Sequence, residues 1–141
     1  IMPSHTLLVA LSAGRSDLYV QMFSRNQDGD SMFPWQPVWS PLEPPGSAMP
    51  EEIPGRLPQK GAVLIAGNGA PLIRNILAAE GAAGSGRQIV YGDGPGLPDA
   101  AAVAALAASR DAGTFESEPA PLYIHSHYAR LPQDGVKEET V

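Results

Sequence analysis

Three kinds of chemistry are open to the residues of this chain: metal ligation by His125 and His127, nucleophilic attack by Ser12 or Ser16, and anion binding by the glycine turns at 67–69 and 92–96. His125-Ser126-His127 puts two imidazoles on one side of an extended segment, the arrangement a metal ion would use. The one other histidine is His5 and there is no cysteine to complete a ligand set, so these read as surface or edge histidines. Neither Ser12 nor Ser16 lies in a G-x-S-x-G elbow, and both read as turn serines. Gly67-Asn68-Gly69 stands where backbone N–H groups at a helix start attract phosphate. It lacks a third glycine at dinucleotide-binding spacing and a P-loop lysine, and Pro71 removes a donor, so it reads as a plain strand-to-helix turn. Gly92-Asp93-Gly94-Pro95-Gly96 reads as an irregular connection. Asp17, Asp28 and Asp30 are carboxylates at hairpin ends, and Asp28-Gly29-Asp30 is a tight turn without the run of oxygen ligands and closing glutamate of a calcium loop. These residues assign no catalytic, cofactor-binding or metal site, and they imply no cofactor.

The bulk properties narrow the field further. A chain of 141 residues is the size of one domain. Nine basic residues stand against 15 acids, a net charge of −6, and no basic stripe exists from which phosphates could displace counterions. Direct nucleic-acid binding is therefore not expected. The absence of cysteine fits a reducing compartment, and the expected location is the cytoplasm. No apolar run approaches the roughly 18 residues of a membrane span, and Ile1-Met2-Pro3-Ser4 lacks the regions of a signal peptide. No membrane partner is expected. A start at Ile1 rather than Met leads us to expect a piece of a longer polypeptide.

The elements that would position these residues are organised around 6–23, TLLVALSAGRSDLYVQMF. The apolar run 6–11 reads as a central strand buried on both faces. Residues 18–23 favour a strand through Tyr19, Val20 and Phe23, and Gly14 supplies the permissive turn of an antiparallel hairpin. A second turn across Asn26, Asp28 and Gly29 leads to a third antiparallel strand at 33–40, whose Pro34 and Pro37 suit a sheet edge. Residues 41–58 are too rich in proline for more than a turn or two of helix near 49–53, where Glu51 and Glu52 suit the helix dipole. A second fully buried strand at 62–66 is followed by a helix from Pro71 to Glu80, with Leu72, Ile73, Ile76 and Leu77 on one side. Gly81 stops it, and a short strand at 88–91 is expected to run parallel to the previous one. A last helix runs from Pro98 or Asp99 to about Ala112, its alanine-rich face close against the sheet. The tail beyond Thr114 is punctuated by proline, with 122–124 extended and 133–141 polar and frayed.

Three antiparallel strands followed by two parallel ones describe an α/β domain, a five-stranded mixed sheet flanked by helices. The order resembles the ribonuclease-H-like fold, the repeating unit of actin-like ATPases. In nucleases and phosphotransferases of that architecture the first strand ends in a metal-holding carboxylate. Here that position is Ser12, and a divalent-metal site is not expected.

Four segments carry a more specific resemblance. LLVALSAGRSDLYVQMF at 7–23 is similar to the hairpin that opens the second half of the bacterial TsaB (YeaZ) proteins, with 11–19 under their "I-D-A-R-x-G-E-V-Y" run. VLIAGNGA at 63–70, LPDAAAVAALA at 97–107 and APLYIHSHYARLP at 120–132, similar to a "P-L-Y-L-R … K-L-P" ending, follow in the family's order. Ser12 replaces the family's Asp, Gly14 its Arg, Ser16 its Gly, Asp17 its Glu and His125 an Arg, so a divergent member is implied.

The resemblance implies a ribonuclease-H-like domain over 1–132, corresponding to the carboxy-terminal half of a TsaB-like protein, with a tail over 133–141. It implies a non-catalytic scaffold that supports N6-threonylcarbamoyladenosine formation in tRNA, with TsaD and TsaE as partners through the full-length protein and homodimerisation through the amino-terminal half. The alternative it leaves open is half of an actin-like phosphotransferase or glycoprotease-type peptidase whose cleft needs the other domain.

Overall fold

The computed structural model describes residues 5–25, 39–81, 86–110, 113, 118 and 120–124. The fold is mixed α/β: β1 (His5–Ser12), β2 (Leu18–Arg25), β3 (Trp39–Pro41), β4 (Gly46–Ala48), a 3-10 turn (Pro50–Glu52), α1 (Ile53–Arg56), β5 (Lys60–Ala66), α2 (Ala70–Ala79), β6 (Gly86–Tyr91) and α3 (Ala100–Ala108).

The hairpin forms as its residues dictate. β1 and β2 pair antiparallel from Thr6 opposite Ser24 to Ser12 opposite Leu18. Gly14 takes φ +77°, a left-handed conformation that costs glycine little, and Ala13 N–H donates to Asp17 O at 3.3 Å to close the turn. β1 is central: β5 pairs with its other side, parallel, Thr6 opposite Val63 and Leu8 opposite Ile65. β6 continues the sheet parallel to β5. The strand order is β3-β2-β1-β5-β6.

The sheet has six strands rather than five. The third antiparallel partner of β2 is divided: β3 pairs with Phe23, Ser24 and Arg25, and β4 with Leu18, Tyr19 and Val20. Pro41, Pro44 and Pro45 at and between the two pieces cannot donate ladder hydrogen bonds, which divides the strand. Of the strand expected at 33–40, residues 33–38 lie outside the described residues, as does the turn at 26–30. The short helical stretch at 50–56 fits the proline content. Glu52 accepts the Met49 N–H through Oε2 at 2.7 Å, so its carboxylate caps the turn directly.

The core lies on one face of the sheet. Thr6, Leu8 and Ala10 of β1, Leu18 and Val20 of β2, and Val63 and Ile65 of β5 alternate with half-buried neighbours and meet Ile53, Leu57, Ile73 and Leu77. Each large side chain sealed there contributes about 1.5–3 kcal/mol. Both central strands were expected to be buried on both faces. Instead Leu7, Val9, Leu11 and Leu64 on the second face are only half-buried, because α1 and α2 pack on the same side.

Two helices depart from expectation. α2 buries Ala70, Ile73 and Leu77, and Leu72 is exposed, since residues three and four apart, not adjacent ones, share the inward line. α3, expected against the sheet, buries nothing: Val103 and Leu106 are 58% and 56% exposed. It ends at Ala108, and Ala112 lies outside the described residues.

Candidate functional site

β1, β5 and β6 run parallel, so their carboxyl ends and the loops after them gather at one end of the sheet, where α/β folds place their ligands. At that corner the Ser12 N–H donates to Asn68 Oδ1 at 2.8 Å, which ties the hairpin to the turn after β5. The Ser12 hydroxyl accepts the Gly14 N–H at 3.4 Å, a turn contact. His5 begins β1 and Ser12 ends it, about 23 Å apart along an extended strand, so no described imidazole serves that serine as a base. His125 and His127 lie outside the described residues, as do Asp28 and Asp30.

Gly67, Gly69 and Gly96 at the corner are consumed by close packing. A Cβ on Gly67, whose φ is +103°, would stand 2.0 Å from Ala10 O. One on Gly96, at φ +73°, would stand 2.5 Å from Asn68 N. Gly69 N–H donates to Ala10 O at 3.0 Å, Ala70 N–H to Gly67 O at 3.1 Å and Gly92 N–H to Ile65 O at 2.9 Å. With Pro71 lacking an N–H, the first turn of α2 has few donors left for a phosphate. The loops are pressed onto the strand ends and onto each other, and this accounts for Gly67, Gly69 and Gly96 without a ligand.

Among the described residues the carboxylates are dispersed. Asp99 caps α3, accepting from the Ala101 and Ala102 N–H groups at 2.7 and 3.3 Å. Glu43 pairs with Arg56 at 2.7 Å, and Ser16 is an exposed turn residue. Among the described residues no three His, Cys, Asp or Glu side chains come together as a metal-ligand set. No described helix is long and apolar enough to cross a membrane.

A grouping that the residue types did not single out lies along β6. The Arg74 guanidinium stands 4.3 Å from the centre of the Tyr91 ring. Burial raises the Tyr91 phenol above its usual range, and the charges of Arg74 and then Arg87 pull it back down. Arg87 donates through Nη1 to Pro54 O at 3.2 Å, while its enclosed Nε has no partner. The signal in the sequence was the strand-helix-strand unit itself, which brings α2 alongside β6 and so Arg74 toward Tyr91.

No protein-family model matches the chain, and no curated protein matches it.

Proposed function

We propose that the chain is a ribonuclease-H-like, non-catalytic domain of a TsaB-like scaffold, acting in the cytoplasm to support N6-threonylcarbamoyladenosine formation in tRNA by a TsaD-type partner. The observation that carries this reading is the end of β1, where an actin-like phosphotransferase would need a metal-holding carboxylate. Ser12 occupies that position, and its N–H is held by Asn68. Backbone fills the space around Gly67 and Gly96, so the corner favours structural coupling of three loops over chemistry. The order β3-β2-β1-β5-β6, antiparallel on one side of β1 and parallel on the other, supports the ribonuclease-H-like part of the reading.

The test is reconstitution of the modification with the full-length protein, TsaD, TsaE, a TsaC-type enzyme, ATP and unmodified tRNA, with the nucleosides read by mass spectrometry. The modified adenosine should form with the full-length protein present and be lost without it, and ATP titrated calorimetrically into this chain alone should give no binding heat. Modification that proceeds equally without the protein would refute the scaffold role. Tight nucleotide binding by the chain would favour the phosphotransferase alternative.

A further inference from the structure

We propose that the open edge of β6 accepts an extended, acidic polypeptide segment of another protein as an added strand. This goes beyond the scaffold reading and does not depend on it. Among the described residues β6 has one neighbour, β5, so its far side presents unpaired backbone donors and acceptors over six residues. The opposite edge is blunted. There β3 and β4 are three residues each, with Pro41, Pro44 and Pro45 at and between them. β6, GRQIVY, carries no proline, and its Gly86, Gln88 and Val90 are exposed. A strand of that kind left open is a template for pairing.

The charge of this flank identifies the partner. Arg87 on β6, Arg74 over Tyr91 and Lys60 opposite Gly86 lie along it, and among the described residues none of these three is in an ion pair. In a chain of net charge −6, three unneutralised cations beside one open edge attract an anionic segment and disfavour a second copy, which would bring the same three cations to meet themselves. Their placement sets a pattern. Arg87 and Tyr91 project from the same face of β6, about 13 Å apart, with Arg74 over the Tyr91 ring. Carboxylates four residues apart on an added strand would reach both. Arg87 has a single described acceptor, Pro54 O, so its terminal nitrogens keep donors to spare, whereas its enclosed Nε is out of reach of an added strand. On the other face Lys60 Cγ passes 3.7 Å from where a Gly86 side chain would begin, and Val90 is 47% exposed, so apolar residues between the acids would meet Val90.

A fluorescent extended peptide with glutamates four residues apart and valine or threonine between them, compared with the same peptide carrying glutamine, tests this on the whole chain. Anisotropy should show the glutamate peptide binding on the order of tenfold more tightly at low ionic strength, with the difference shrinking as salt rises. Hydrogen exchange should slow at those β6 amides that do not bond β5. Arg74→Gln, on an exposed helix position, should weaken the glutamate peptide while leaving the circular dichroism spectrum unchanged, and Arg74→Lys should restore part of the loss. Equal binding of the two peptides, protection elsewhere in the chain, or a concentration-dependent dimer that protects the β6 amides without peptide would overturn the proposal. No component of tRNA modification enters the assay, so its failure would leave the scaffold reading untouched.

Discussion

Gly67 shows how tightly one residue can be specified. Its φ of +103° is strained for any L side chain, and a Cβ would sit 2.0 Å from Ala10 O, a backbone atom held within β1. Neither the turn nor the strand can yield alone, because Gly69 N–H also bonds Ala10 O. Gly67→Ala should therefore cost about 3 kcal/mol or more, combining backbone strain with overpacking. Gly94→Ala, where nothing lies within 4 Å and φ is ordinary, should stay within about 1 kcal/mol of wild type. Urea denaturation of the two variants checks the contrast, and equal midpoints would refute the packing account. The sequence marked 67–69 as a turn between strand and helix. That the missing side chain serves the neighbouring strand was not legible, because the contact spans residues more than fifty apart and depends on β1 and β5 lying side by side.

At the scale of elements, local chemistry was legible where it acts locally. The hairpin turn at Gly14 and the start of α2 near Pro71 follow from residue types and stand close to where those types place them, while Asp99, expected to lie at the start of the last helix, stands just before it as its cap. β4 was not legible, since Gly46-Ser47-Ala48 has little strand preference and owes its extended form to pairing with Leu18, Tyr19 and Val20. α3 is the opposite case. Its alanine-rich face was expected close against the sheet, yet none of its nine alanine, valine and leucine residues is buried. A helix this short without a packed face is marginal, as isolated helices below about 12–15 residues are, and Asp99, accepting from two N–H groups, holds its start. Its amides should exchange orders of magnitude faster than those of β1 and β5. Asp99→Ala should remove about 1 kcal/mol of cap from the helix alone, lowering its protection further while the urea midpoint of the chain stays put. A shift of that midpoint by a comparable amount would mean that α3 unfolds with the rest.

Across the whole molecule, the pairing of β1 with β5 and of β5 with β6 makes one sheet whose stability is concentrated on one face. The continuous apolar runs at 6–11 and 62–66 told of strands but could not tell which face would be covered, because apolar residues occupy both parities. The answer lies in α1 and α2, whose Ile53, Ile73 and Leu77 all meet the line of Leu8, Val63 and Ile65. The cooperative unit should then be the sheet with α1 and α2. Ile73, fully enclosed, and Val103, 58% exposed, sit on helices of similar length and test that boundary directly. Ile73→Ala should cost about 2–5 kcal/mol through lost burial and the cavity left behind, a large share of the roughly 5–15 kcal/mol typical of a domain. Val103→Ser should change stability by no more than about 0.5 kcal/mol. Thermal and urea unfolding followed by both far-ultraviolet circular dichroism and tyrosine fluorescence would show a common midpoint falling in the first variant and unmoved in the second. A loss of similar size in both would place α3 inside the cooperative unit and require that it pack on the second face of the sheet.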